Sequence, residues 1–378
     1  MRVLTSLVCC VAVSALAQGR VSAAPAMKTA RFQHTATLLK DGRVLVVGGR
    51  STDATVALAS VEVFEPATNK WSQAAGLHTG RALHTATLMA DGRVLIGGGI
   101  GLPESDSGAP VSLTALSSTE VFDPKTNSWA AGPDLSEPRS GHSAVLTSEG
   151  VWFAGGLRGQ RMVLGSTERI DAKLQRHDGP TLVTARAHHT ANTLGSADEV
   201  VIAGGRGPQS TAIAETERCS MKELKCSALP VLPEAVQRSV SVSVAGAVVL
   251  IGGYSPSAST NYLQRFELAP LKWSLASHHL SLALVHHAAT VLQDGSLLVS
   301  GGETPVASDS SRLQKLGPNG WCLAGAMKVS RRNHTATLLK DGRVLLVGGT
   351  SAGMPEASTE LWSKAAGPCE EPQGLSIE

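Results

Sequence analysis

Residues 34–49 read HTATLLKDGRVLVVGG and residues 334–349 read HTATLLKDGRVLLVGG, two blocks that differ only at Val46 against Leu346. Five looser copies lie between them. Each copy closes on a glycine pair, so the doublets fall at 48/49, 98/99, 155/156, 204/205, 252/253, 301/302 and 348/349, with spacings of 50, 57, 49, 48, 49 and 47 residues. A unit of about fifty residues repeated in this way cannot bury its apolar face alone, and stacked neighbours must supply the rest of the core. The repeat also overrides the length. A chain of 378 residues could hold two or three domains, but here one periodic body fills nearly all of it.

Within a unit the pattern predicts strands. His34–Leu39 alternates, Asp41-Gly42 turns, and Arg43–Val47 runs apolar into the doublet, which is a hairpin signature. A loop of variable length follows, then a third strand such as Val61–Phe64, a turn containing proline, and a fourth strand at Trp71. Four antiparallel strands per period predict the blade of a β-propeller, and seven doublets predict seven blades in an all-β chain. Phe64 and Trp71 are seven residues apart, as are Phe122 and Trp129, and Phe266 and Trp273. The fourth unit holds Cys219 and Cys226 in these two slots, which predicts a cross-strand disulfide. In the seventh unit Trp362 takes the Phe slot and Cys369 the Trp slot. A Cys322–Cys369 bridge would join outer strands of neighbouring blades, which splay apart, and the sequence leaves that pairing open.

Charge excludes two classes of partner. The 33 basic and 31 acidic residues are interspersed, giving a formal charge of +2, so neither a nucleic-acid footprint nor a polybasic membrane patch is present. Residues 1–17 carry Arg2, an apolar run and Ala15-Leu16-Ala17, the outline of a cleaved secretory leader that is short for a membrane span. Cys9 and Cys10 lack a good lipobox. Removal of the leader leaves four cysteines, Cys219, Cys226, Cys322 and Cys369, an even number that suits an oxidising compartment. The expected product is a secreted or periplasmic monomer.

These features resemble the Kelch-repeat family: a polar inner strand, the doublet ending the second strand, a Glu and an aromatic in the third, and a Trp opening the fourth. The resemblance covers about residues 27–369, with 18–26 left as a short linker and 370–378 as a tail. Either the N-terminal segment or the tail after Trp362 could supply the last strand. The HTATLL-x-DGRVLV-x-GG variant looks like exported bacterial Kelch proteins and the propeller of galactose-oxidase-like enzymes. The family's copper enzymes use tyrosines, histidines and a Tyr-Cys crosslink. The two tyrosines here, Tyr254 and Tyr262, share one loop, so no metal and no cofactor are implied.

Three residues before the His slot stand Arg31, Arg81, Arg139, Arg186, Arg238 and Arg331, with Leu284 the exception. In a Kelch-like propeller they would ring one mouth of the central channel, where guanidinium forks suit carboxylates and phosphates. Glu62, Glu120, Glu168, Glu217 and Glu360 begin the third strands at the same mouth, so ion pairing within the scaffold competes with ligand binding. Gln264 and Arg312 occupy the Glu slot of blades five and six, which leaves Arg238 the best ligand-binding candidate. The variable loops join this mouth, among them 100–118, 157–166, 206–215 and 254–262, the last with Tyr254 and Tyr262. His34, His84, His142, His189, His287 and His334 share a face with aliphatic residues and read as hydrogen-bonded interface groups rather than metal ligands. No nucleophile elbow, zincin motif or nucleotide fingerprint is present. The sequence therefore predicts a non-catalytic scaffold for a protein or glycan. The alternative is a carbohydrate-active enzyme, such as an acidic-sugar mutarotase or lyase, for which the resemblance is one of fold.

Overall fold

The turn at Asp41-Gly42 shows how each hairpin is set and how it is tied to its neighbour. Asp41 Oδ1 accepts the Arg43 N–H at 3.0 Å, and Gly42 adopts a φ of 99°. The carboxylate also holds the Arg43 guanidinium at 2.7 Å, and that guanidinium donates to the Pro124 carbonyl of the next blade at 3.2 Å. Arg343 repeats the arrangement with Asp341 and reaches Pro66 O; Arg93, held by Asp91, reaches Ala172 O. The D-G-R triplet is thus a turn and a cross-blade clamp at once.

The computed structural model describes residues 19–365 apart from 53–55, 103–112, 257, 307 and 318–319. Among the described residues there are seven four-stranded antiparallel sheets and three two-stranded ribbons. The first blade pairs Thr35–Leu38, Val44–Val47, Val61–Glu65 and Lys70–Gln73 in sequence order, and the inner strands of successive blades touch around a closed ring. The ribbons, Ile100–Gly101 with Thr114–Ala115, Leu157–Arg158 with Met162–Val163 and Thr350–Ser351 with Met354–Pro355, rise from the loops after the glycine doublets.

The core lies between blades, as a period-two strand buried on both faces requires. Leu45 and Val47 pack with Val94, Ile96 and Phe122 of blade two. Val44 and Val46, pointing the other way, pack with Leu345, Val347 and Leu361 of blade seven. The expected cross-strand pairs are present: Phe64 opposes Trp71, Phe122 opposes Trp129 and Phe266 opposes Trp273, with ring centroids 5.0–5.1 Å apart. In blade four Cys219 opposes Cys226 and the two form a disulfide. Cys322 is also disulfide-bonded, and Cys369 lies outside the described residues, as do the expected leader and tail.

The segment 18–26, expected to be a linker, is corrected by the structure. Arg20–Ala24 is the outer strand of the seventh blade and pairs with Thr359–Ser363, placing Val21 rather than Cys369 opposite Trp362. Gly19 is half-buried against Trp362, where an added Cβ would lie 2.1 Å from the indole nitrogen. The ring therefore closes by pairing segments far apart in sequence, which covers the Thr359–Ser363 edge. A chain shortened to begin at Pro25 is expected to melt lower by about 5 °C or more and to self-associate through the exposed Thr359–Ser363 edge. Light scattering and a thermal melt identical to those of the full chain would contradict this account.

Candidate functional site at the channel mouth

The arginine slot is built into the blade. Arg31 is fully buried and donates from Nη1 to the carbonyls of Gly48 (2.7 Å) and Ser60 (2.9 Å), and from Nη2 to Glu62 (2.8 Å). Glu62 in turn accepts the backbone N–H groups of Lys28 (2.7 Å) and Thr29 (3.1 Å). One ion pair thus joins the doublet, the third strand and the segment leading in from the previous blade. Arg81 with Glu120, Arg139 with Glu168, Arg186 with Glu217 and Arg331 with Glu360 repeat it, and all five guanidiniums are buried. Arg31, Arg81, Arg139, Arg186 and Arg331 are inaccessible to solvent and each is committed to a glutamate, which corrects their assignment as ligand-binding residues.

Two positions in the expected register are also corrected. The carbonyl that receives the second doublet N–H belongs to Arg81 in blade two, but to Val236 in blade five and Leu284 in blade six. Val236 therefore holds the arginine slot of blade five, and Arg238 falls two residues later. In blade six Gln314 rather than Arg312 opposes Val299, as Glu62 opposes Val46. Wherever the arginine becomes aliphatic, the glutamate becomes glutamine. Gln264 and Gln314 still accept the backbone N–H of Glu234 and Ser281, each at 2.9 Å. A lone carboxylate at this depth would be costly.

The glycine doublet and the histidine slot form the next layer. A Cβ on Gly48 would lie 2.4 Å from the Arg81 carbonyl oxygen and 3.0 Å from His84 of the following blade. The small residue therefore lets that imidazole in. His84 Nε2 hydrogen-bonds the Thr35 hydroxyl (2.9 Å), His142 that of Thr85 (3.0 Å), His189 that of Ser143 (2.8 Å) and His34 that of Thr335 (3.1 Å). These histidines join adjacent inner strands. Burial, reinforced by the arginine of the same blade, lowers His84 and His142 to about 3.

Between the arginine and histidine slots one residue per blade faces the channel. These are Gln33, Leu83, Gly141, His188, Arg238, His286 and Asn333, all with φ between 52° and 58°. Backbone bonds link them around the mouth: Leu83 N donates to Gln33 O, Gln33 N to Asn333 O, Asn333 N to His286 O, Arg238 N to His188 O and His188 N to Gly141 O. The cavity they enclose, with the start of the inner strands, has a volume of about 260 Å³. Blades one to three contribute Gln33, Leu83 and Gly141, and blade seven Asn333; blades four to six contribute the ionisable His188, Arg238 and His286. The residues just after the doublets add Arg206, Tyr254 and Glu303 on that side, each bridged to the strand beside it, as Arg50 is in blade one.

Arg238 is exposed in this ring, and its Nη1 contacts His286 Nε2 at 3.0 Å. Tyr254 meets the same imidazole edge-on, with centroids 6.3 Å apart. Tyr262 lies apart, its ring against His279 at 5.2 Å. Glu303 approaches His286 Nδ1 at 3.5 Å but is bound at 2.7 Å by Arg332, which also pairs with Asp309. Among the described residues Arg206 and Arg238 have no carboxylate within ion-pair distance. His188, Arg206, His286 and Glu303 did not emerge as candidates from the sequence. Their signal was positional: the residue before the histidine slot and the residue after the doublet.

A family model for the Kelch motif matches residues 32–78. Alpha-scruin from Limulus polyphemus is 29% identical over 215 residues, which are 54% of this chain and 22% of that protein; the chain thus aligns with about a fifth of that relative's length. A solved fungal alcohol oxidase of the AA5 family, in complex with copper, superposes with a TM-score of 0.71 at 19% identity, covering 92% of this chain and 76% of that one. At that identity the likeness is one of fold. The mouth does not fit a copper ion: His286 Nε2 faces the Arg238 guanidinium, and Tyr262 is outside the ring. Among the described residues the grouping of metal-capable side chains is Glu217, Cys219 and Cys226, whose sulfurs form the disulfide and whose carboxylate holds Arg186.

The two kinds of arginine should separate in denaturant unfolding. Arg81→Ala leaves Glu120 buried without its cation and should cost about 3–5 kcal/mol, whereas Arg238→Ala at the exposed mouth should stay within about 0.5 kcal/mol of the parent. Comparable losses would contradict the division. The histidines predict acid sensitivity. The folded chain keeps His84 and His142 neutral down to about 3, while the unfolded chain protonates them near 6.5. Each depressed group therefore contributes stability that is present above about pH 6.5 and lost, at about 1.4 kcal/mol per pH unit, as the pH falls toward 3. Unfolding midpoints measured from pH 7 to 4 should fall, and His84→Gln should make that fall shallower.

Proposed function

This chain is a Kelch-repeat β-propeller, and from that premise we propose that it is an exported, non-catalytic scaffold that binds a protein partner on the channel-mouth face. The observation that carries the reading is the makeup of that face. Five of its loops after the glycine doublets expose a large apolar side chain: Val56, Leu102, Met162, Val306 and Met354. They surround a centre holding the Arg206 and Arg238 guanidiniums, which pair with no carboxylate among the described residues. An apolar collar around a charged centre is a protein-docking composition. Sugar recognition by aromatic platforms has less support, since no Tyr, Trp or Phe is among the residues that line the mouth cavity. Export rests on residues 1–17 and accords with the Cys219–Cys226 disulfide.

The enzyme alternative would need a group poised for chemistry at the mouth. His286 with Glu303 resembles an oriented base, but its Nε2 faces a guanidinium rather than open space. The scaffold reading can be checked by placing a photo-crosslinking residue at Met162 or Val306 and, on the opposite face, at Leu224 or Leu271. The mouth positions should trap one recurring protein, and Arg238→Glu should abolish the crosslink. Equal trapping from both faces, or insensitivity to Arg238→Glu, would sink the reading.

A further inference from the structure

The sector of the mouth formed by His188, Arg206, Arg238 and His286 is distinct in chemistry from the rest of the ring. Each of the buried arginines described above has its own glutamate, yet Arg206 and Arg238 have none among the described residues. Arg206 donates to the Ser210 hydroxyl (2.8 Å) and Arg238 contacts the lone pair of a neutral imidazole (3.0 Å). The two nearby carboxylates, Glu303 and Asp309, are held by Arg332. His188 lies over Gly141, where a Cβ would come within 2.5 Å of its Cε1, so the glycine keeps the channel side of that imidazole clear of a neighbouring side chain. Across the ring from Arg238 stand Gln33 and Leu83, which offer no competing charge.

We propose that this sector is a carboxylate-binding site, filled by a Glu or Asp side chain of an acidic segment of the partner, and that filling it draws a proton onto one of its imidazoles. The inference rests on the mouth-face reading above. A guanidinium fork suits a carboxylate bidentately, and a cavity of about 260 Å³ admits one acidic side chain rather than a folded element. Proton coupling follows from the neighbours of the imidazoles. His188 faces Arg238, Arg206 and His286; His286 faces Arg238, Glu303 and Arg332, with Tyr254 edge-on. Burial first, and then these guanidiniums, lower both histidines to about 4. A bound carboxylate offsets the guanidinium field and favours the imidazolium, so its binding must tighten as the pH falls from 7 toward the carboxylate's own range.

The test is calorimetric titration of the full oxidised chain at low salt with the acetylated tetrapeptide Glu-Glu-Leu-Glu, with Gln-Gln-Leu-Gln as neutral isostere and glucuronate as the sugar arm. The glutamate peptide should bind at least tenfold more tightly than its isostere and more tightly than glucuronate. Its affinity should rise severalfold from pH 7 to 5.5, with an enthalpy that depends on the buffer's ionisation heat. Arg238→Gln and Arg206→Gln should each lose tenfold or more, with melting midpoints unchanged, while Lys125→Gln on the opposite face should bind as the parent does. Equal binding of the two peptides, preference for glucuronate, indifference to both arginine variants, or affinity independent of pH would each overturn the proposal. Those outcomes leave the crosslinking result untouched, so a failed site and a failed docking face are distinguishable.

Discussion

The buried arginine–glutamate pair is the interaction on which the blade depends. Its guanidinium satisfies the carbonyl of the first doublet glycine and the carbonyl two residues before the glutamate, and its carboxylate captures the chain arriving from the previous blade. Three segments separated in sequence, 28–31, the doublet at Gly48 and 60–62, are thereby tied together. Such a pair need not be more stable than an apolar replacement, since desolvation offsets much of the attraction. Blades five and six show that replacement directly: Val236 with Gln264 and Leu284 with Gln314 keep the backbone cap and discard both charges. The charges change together because burial penalises either one alone.

Once the pair fixes the doublet, the remaining contacts between blades follow from it. The doublet turns with positive φ at both glycines, which leaves room for the next blade's histidine. The histidine binds a hydroxyl of the previous inner strand, and the D-G-R clamp makes the corresponding link at the far end of the hairpin. The two most similar repeats, in blades seven and one, adjoin the closure, where Lys340 Nζ donates to the Lys40 carbonyl and Lys40 Nζ to that of Ala90. The ends of the chain thus meet between its two most regular units.

Much of this was legible because it is periodic. The doublets, the D-G turns and the pairs seven residues apart gave the blade count, the hairpins and the Cys219–Cys226 bridge without reference to tertiary contacts. Two kinds of feature were not legible. Arg238 was assigned to the arginine slot because blade five has Ser239 where its neighbours have histidine, which removes the marker from which the slot is counted. The closing strand, RVSAA, is short and weakly patterned, and its partner Thr359–Ser363 lies at the other end of the chain. Pairing of that kind is decided by ring closure rather than by local propensity.

The slip also explains where variation can accumulate. In the run Arg31, Phe32, Gln33 and His34, the first side chain is held by Glu62, the second residue is in a backbone bridge with Arg50, and the fourth side chain bonds the neighbouring blade. The third residue contributes its backbone to the mouth ring, and its side chain carries no contact that the blade requires. The fold therefore constrains the conformation of seven channel-facing positions while leaving their chemistry open. Blades one to three fill them with Gln, Leu and Gly, and blades four to seven with His, Arg, His and Asn. The misassigned arginine is the one that faces the channel because it lies outside the buried slot, so the proposed carboxylate site draws on positions whose side chains the scaffold does not need.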